Sequence, residues 1–131
     1  MEFSESLKKN SDFQFIYRNG KSYGNKYLVM YVFQKAEDAK NAKKNRIGIS
    51  VSKKVGNSVV RHHITRLIRE SYRLNEKKFV GGLDMIVIAR PGAKERNFFE
   101  IESALLHLSK IHGILKKDET TELEKEKNDK N

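Results

Sequence analysis

The sequence of 131 residues contains no cysteine and a single proline. The lack of cysteine excludes a disulfide framework, a thiolate metal site and a cysteine nucleophile. A chain of this length supports one compact domain. Seven phenylalanines, five tyrosines and many aliphatic residues supply a modest core that needs no covalent cross-link.

Long apolar segments are also lacking. The first residues do not combine a basic segment with an apolar run, as a secretory signal does. The longest apolar stretch, residues 27–33, is far shorter than the about 20 residues that a membrane-spanning helix needs. We therefore expect a cytoplasmic protein that does not engage a membrane.

Positive charge is abundant and unevenly distributed. Lysine and arginine outnumber the acidic residues by 27 to 17. Residues 118–131 contain six acids and three lysines, a net charge of −3, so residues 1–117 carry +13. A body this basic indicates a polyanionic partner, because each cation placed against a phosphate releases condensed counterions. The alternative is a soluble basic protein with no such partner.

The hydrophobic pattern alternates between helical and strand periods. Residues 1–117 form one predicted domain, and residues 118–131 form a charged tail without predicted structure. Residues 36–45 are expected to be an exposed hairpin loop. The predicted order is a helix capped by Ser11 and Asp12, strands near 21–25, 27–35 and 46–52, a helix over 58–72, a strand over 83–89 and a helix over 94–115. This order predicts an α/β (α+β) two-layer sandwich in a single domain.

The third predicted strand, residues 46–52, alternates strictly between large and small side chains. Its small residues are Gly48, Ser50 and Ser52, all on one face. A face of this size is too small to fill a core. It predicts a shallow groove that another surface approaches closely.

Basic residues form a stripe along the helix predicted over residues 58–72. They recur at steps of four, three and four, which places them on one side of a helix, opposite its apolar positions. The turn before the helix adds two lysines. The only nearby acid is Glu70, and unpaired like charges oppose folding slightly, so we interpret the stripe as a phosphate-binding surface rather than a solvated face. The residues concerned are His62, Arg66, Arg69 and Arg73, flanked by Arg61, Lys53 and Lys54.

This region resembles the signature of the bacterial ribonuclease P protein family. The resemblance is carried by residues 53–61, KKVGNSVVR, and residues 66–70, RLIRE. Three flanking pieces are similar to the family as well: residues 12–20, 46–54 and 84–91. The pieces occur in order and with natural spacing over residues 5–115.

The resemblance implies a sandwich in which the basic helix forms a left-handed crossover between parallel strands. It implies a component of an RNA enzyme that removes the 5′ leader of precursor tRNA, with ribonuclease P RNA and precursor tRNA as partners and no obligate protein partner. The residues expected to bind the catalytic RNA are Lys53, Lys54, Asn57, Arg61, His62, Arg66, Arg69 and Arg73. Those expected to hold the leader are Phe13, Tyr17, Tyr31, Ser50 and Ser52, over a floor that includes Gly48. The alternative for the three aromatic rings is a place in the core.

The sequence departs from the family pattern in the basic motif. Many members have Arg-Asn-Arg where this chain has Arg61-His62-His63, and many have lysine at the position of Thr65. Two fixed positive charges are therefore missing. This leaves open weaker or more pH-dependent RNA binding.

The sequence shows no active site of its own. The acidic residues between positions 46 and 90 are Glu70, Glu76 and Asp84. They are not paired closely in the sequence, as the metal-binding carboxylates of metal-dependent nucleases are. No catalytic residue and no protein-bound metal are expected; the resemblance implies Mg²⁺ held mainly by the RNA. Two alternatives remain: a binding module such as a ribosomal protein or RNA chaperone, and a freestanding metal-dependent nuclease.

Overall fold

The computed structural model describes residues 4–36 and 44–117 as five strands and three α-helices around one sheet. The strands are β1 (Ser4–Ser6), β2 (Lys21–Gly24), β3 (Leu28–Gln34), β4 (Asn45–Ser50) and β5 (Leu83–Ala89). The helices are α1 (Asn10–Asn19), α2 (Ser58–Asn75) and α3 (Phe98–His112). The predicted α/β sandwich is confirmed.

The sheet has the order β1-β4-β5-β3-β2 and mixes both strand directions. β1, β4 and β5 run parallel, whereas β3 is antiparallel to both β5 and β2. Since β4 and β5 are adjacent and parallel, α2 is the crossover between them, as the basic helix was predicted to be. The left-handed sense of that crossover stays a prediction.

The two faces of the sheet differ. On one face, alternate residues of β3, β4 and β5 pack against α2 and α3 in the main core, for example Met30, Ile47 and Met85. On the other face, α1 covers part of the sheet through a smaller cluster of Leu7, Ile16 and Ile86. Charged helices thus shield the main core, while the second face is only partly covered.

Several predicted boundaries were wrong. The N-cap of α1 is Lys9, which makes no side-chain capping bond, so neither Ser11 nor Asp12 caps the helix. α3 begins at Phe98, where Asn97 and Glu100 form a capping box. β1 was not predicted, because three residues are too few for a periodic pattern. Most of the predicted loop over 36–45 and the tail after residue 117 lie outside the described residues.

A buried carboxylate joins the strands at one end of the second face. Arg46 of β4 donates two hydrogen bonds to Asp84 of β5, at 2.9 and 2.8 Å. Lys35 Nζ lies 3.1 Å from the same carboxylate. A third donor of Arg46 reaches Asp12 of α1 at 3.1 Å, so the network ties α1 to the sheet. Burial would raise the pKa of Asp84, but the hydrogen bonds from Arg46 and Lys35 outweigh it and hold the pKa below its ordinary value.

We predict that Asp84→Asn lowers the free energy of unfolding at pH 7 by about 3 kcal/mol, because two cations then face a neutral amide. The folded-state pKa lies below the unfolded value of about 3.9, so the ionised carboxylate stabilises the fold above that pH. Its contribution is lost as the pH falls through the folded-state pKa.

In urea denaturation from pH 7 downward, the free energy of unfolding of the wild type should approach that of the variant. Asp12→Asn, at the more exposed end of the network, is the control and should lower the free energy of unfolding by less than Asp84→Asn does. A gap between Asp84→Asn and wild type that is independent of pH would contradict this account.

Candidate nucleic-acid interface

The entry to α2 is held rigidly by its own backbone and cap. The side-chain oxygen of Asn57 accepts a hydrogen bond from the Val60 N–H at 3.0 Å. A Cβ on Gly56 would lie 2.7 Å from Cγ1 of Val60, so glycine is needed for the close approach. Val55 is buried, and its N–H donates to the Ser52 carbonyl at 3.1 Å. The turn therefore presents Lys53 and Lys54 to solvent from a fixed backbone.

This geometry gives Asn57 a structural role at the entry to α2. Its oxygen is engaged as the N-cap of α2, which alone explains an asparagine at this position. Contact with RNA by its amide group stays a prediction.

The basic stripe of α2 faces away from the core. His62, Arg66, Arg69 and Arg73 are all exposed. The opposite side of the helix buries Ile64, Ile68 and Tyr72 completely or nearly so. The hydroxyl of Tyr72 shares a hydrogen bond of 2.6 Å with Ser4, which fixes the rotation of the helix against β1. The predicted arrangement of the stripe is confirmed.

The cations of the stripe differ in their pairing. Arg73 forms an ion pair of 2.8 Å with Glu70, and this contact lowers the pKa of the Glu70 carboxyl. Neither Arg66 nor Arg69 has an acidic group within 4 Å in the part of the chain that the structure describes. Arg61 is half-buried, and its Nε is shielded from solvent without an acceptor among those residues. Of the three arginines on the stripe, Arg66 and Arg69 are therefore the two without an ion pair to a described acid.

The predicted leader cleft lies on the second face of the sheet, beside α1. The ring of Phe13 lies directly over Gly48, where a Cβ would come within 2.5 Å of its Cζ atom. The surface that approaches Gly48 closely is thus a ring of this same chain. Ser50 is half-buried two residues further along β4, and Ser52 is exposed beyond the end of the strand, which the sequence had extended to residue 52.

Three aromatic rings follow one another along this cleft. Tyr17 packs edge-on against Tyr31, with ring centroids 5.0 Å apart, and Phe13 lies 6.4 Å from Tyr17. All three rings are half-buried. Burial raises the pKa of Tyr17, and the neighbouring Tyr31 adds to the rise. Each ring is therefore fixed by packing and still partly open to solvent.

A further aromatic pair at the cleft was not singled out from the sequence. Phe15 of α1 meets Phe33 of β3 edge-on at 4.9 Å, and Phe15 is 48% exposed. The available signal was strand alternation, which puts Phe33 on the same face as Tyr31. The ion pair of Arg46 with Asp12, which positions α1 over the cleft, left no such signal.

The stripe and the cleft meet at one small cavity. Arg69 and Tyr72 of α2, Phe13 of α1 and Gly48 of β4 line a volume of about 100 Å³. It lies where β1 ends and the edge of β4 becomes free. Arg69, predicted only as a contact of the catalytic RNA, is therefore also next to the aromatic cleft.

Over residues 4–36 and 44–117, no three histidine, aspartate or glutamate side chains form a group that could hold a metal ion. No helix in these same ranges is long and apolar enough to cross a membrane.

Comparison with known proteins gives consistent matches over nearly the whole chain. The family model Ribonuclease P matches residues 1–113. A ribonuclease P protein component of Lachnoclostridium phytofermentans is 58% identical over 116 residues, which are 88% of this chain and 96% of that protein. The chain belongs to the ribonuclease P protein family.

Relatives and solved structures support this membership throughout the fold. A ribonuclease P protein component of Alkaliphilus metalliredigens is 52% identical over 82% of this chain and 93% of that protein. The structure of the Staphylococcus aureus RNase P protein matches with a TM-score of 0.74 and 39% identity, over 85% of this chain and 97% of that one. The Thermotoga maritima RNase P protein matches with a TM-score of 0.69 and 29% identity, over 79% and 93%. As a ribonuclease P family protein, this chain is a component of the enzyme of tRNA 5′ maturation, which disfavours the ribosomal-protein-like, chaperone and freestanding-nuclease alternatives.

Proposed function

We propose that this chain binds the catalytic RNA of ribonuclease P through the exposed side of α2 and the turn before it. The observation that carries this proposal is the pair Arg66 and Arg69, exposed on a helix whose other side is locked in the core. A planar guanidinium can grip a phosphate with two parallel hydrogen bonds. The full contact set is Lys53, Lys54, Asn57, Arg61, His62, Arg66, Arg69 and Arg73.

The cleft beside α1 is proposed to hold the single-stranded 5′ leader of precursor tRNA. Half-buried rings such as Tyr31 can stack on unpaired bases of any identity, which suits a leader of variable sequence. The contact set is Phe13, Tyr17, Tyr31, Ser50 and Ser52. Gly48 has a different part, because it allows Phe13 to lie against the sheet.

The two contact regions lie against opposite faces of one sheet and meet at the free edge of β4, in the cavity that Arg69 and Phe13 share. A protein built in this way holds the leader at a fixed position relative to the catalytic RNA, which favours the correct cleavage site through orientation. Its cations also reduce repulsion between the two RNAs, so less Mg²⁺ is needed to bring them together. We assign the cleavage chemistry to the RNA with Mg²⁺ held mainly by RNA, in the cytoplasm, and without an obligate protein partner.

The test of this function is cleavage of precursor tRNA by a bacterial ribonuclease P RNA at low Mg²⁺, with and without the chain. We expect the chain to restore cleavage at the 5′ end of the mature tRNA, and to cut nothing when the RNA is omitted. Cutting by the chain alone would identify a protein nuclease. Binding without restored cleavage, even with RNA from the same source, would favour the binding-module alternative.

We predict that Arg66→Ala weakens binding to ribonuclease P RNA and lowers the salt dependence of log K by about 0.7–0.9, the value of one phosphate contact. The measurement is a titration of labelled RNA at several salt concentrations. Lys94→Ala removes an exposed cation from the turn before α3 and is the control, which should leave the slope unchanged. Equal slopes for Arg66→Ala and wild type would exclude this part of α2 from the interface.

We predict that Tyr31→Ala weakens binding of precursor tRNA by about 1–3 kcal/mol, the usual value of one base stacked on an aromatic ring. Binding of mature tRNA, which has no leader, should not change. Tyr31→Phe keeps the ring and its contact with Tyr17, so it should bind both RNAs like the wild type. Affinity losses of the same size for precursor and mature tRNA would contradict the leader cleft.

A further inference from the structure

A second basic surface lies at the end of the sheet where β4 and β5 begin. Its members are five exposed lysines from three separate parts of the chain. We call this surface the lysine patch: Lys44, Lys77, Lys78, Lys116 and Lys117. None of the five belongs to the basic motif by which the sequence resembles the ribonuclease P family.

Backbone and side-chain hydrogen bonds hold these three segments together. The Lys116 N–H donates to the Lys78 carbonyl at 2.7 Å, and the Val80 N–H donates to the Ile114 carbonyl at 2.9 Å. The buried side chain of Asn45 donates to the Val80 carbonyl at 2.8 Å and accepts from the Leu83 N–H at 2.9 Å. The lysines are therefore brought together by the fold and do not form a run in the sequence.

The patch surrounds a groove of about 380 Å³. Lys44, Lys77 and Lys116 line it, and Phe79, at its base, is only 3% exposed. The one acid among the lining residues is Glu76, which is only 7% exposed and so offers little negative charge to solvent. The groove thus has a polar, cationic rim and no exposed ring on which a base could stack.

We propose that the lysine patch binds the phosphate backbone of ribonuclease P RNA, as a second contact beyond α2. Lysines act as mobile point charges and need no fixed geometry, which suits a phosphate backbone rather than base edges. The inference rests on the proposed function of α2, because the same RNA is the ligand.

Position favours the catalytic RNA over the substrate. The turn Glu76–Lys78 follows α2 without a break, and Lys77 lies one helical turn beyond Arg73. The aromatic cleft, by contrast, lies on the opposite face of the sheet from α2. α2 alone spans about 27 Å, so an RNA helix along it that continues to the patch meets a basic surface considerably longer than α2.

The test neutralises three patch lysines in the full chain with Lys44→Gln, Lys78→Gln and Lys116→Gln together. We expect the salt slope for ribonuclease P RNA to fall by about 2 units, because each phosphate contact contributes about 0.7–0.9. The control replaces three other exposed lysines, Lys26→Gln, Lys94→Gln and Lys110→Gln, and removes the same total charge. Thermal unfolding of both variants checks that the fold is retained. A salt slope equal to that of the control variant would overturn the proposal. Tighter RNA binding by the patch variant would also overturn it, because that result would indicate the acidic residues 118–131 as the ligand of the patch.

The absence of cysteine allows a direct second measurement. Lys116→Cys provides a single attachment point for an iron chelate that cleaves nearby RNA backbone. We expect cuts in ribonuclease P RNA from this position and none from Lys94→Cys. Cuts confined to precursor tRNA, or no cuts above the control, would exclude the catalytic RNA as the ligand of the patch.

Arg66→Ala in the same titrations separates this proposal from the proposed function. If Arg66→Ala lowers the salt slope and the triple lysine variant matches its control, the lysine patch does not bind ribonuclease P RNA, and the proposed interface on α2 remains. If only the triple lysine variant lowers the salt slope, the lysine patch binds the RNA, and the proposed binding of RNA by α2 is wrong.

Discussion

The carboxylate of Asp84 lies almost out of solvent and receives hydrogen bonds from cations on two neighbouring segments. Arg46 grips it with two donors, and Lys35 approaches it from the end of β3. Arg46 also reaches Asp12, so the position of α1 over the sheet depends on the same group. A buried charge of this kind is stable only while its partners remain in place, which makes the arrangement of α1, β3, β4 and β5 a single unit. The width of the aromatic cleft follows from that arrangement.

The aromatic cleft and α2 can lie against opposite faces of the sheet because β4 presents different residues to its two sides. Ile47 and Ile49 face α2 and α3, where they join the main core. Gly48, between them, faces α1 and leaves room for Phe13. Since strand residues alternate strictly, one short segment supplies both isoleucines for the main core and a bare backbone against which Phe13 packs. A one-residue shift of register would place isoleucine in the groove and glycine in the core.

Periodicity and composition predicted the parts of the fold that depend on local pattern. The stripe on α2 and the alternation of β4 both follow from spacing alone, and both are confirmed. The role of Asp12 was missed because an acid near a helix start is equally typical of a cap and of a long-range ion pair. The lysine patch could not be foreseen either, since Lys44 and Lys116 come together through the hydrogen bond of Asn45 to Val80 and the pairing of residues 78–80 with residues 114–116. Contacts between segments that are distant in the chain do not change the hydrophobic periodicity of either segment, so periodicity cannot predict them.

The exposed cations are unevenly distributed along α2. Its first half, residues 58–65, contains a single arginine, Arg61, and no lysine. Thr65 donates its hydroxyl to the Arg61 carbonyl within the helix, so it adds no charge at the surface. At the other end Glu70 pairs with Arg73, so Arg66 and Arg69 are the arginines of the stripe that no described acid pairs. A folded RNA is longer than α2. Its binding to the protein is therefore strengthened further only by cations that lie beyond the two ends of this helix. The lysines at the end of the sheet lie beyond the C-terminal end, in the direction in which α2 runs, so they extend the row of exposed cations past the end of the helix.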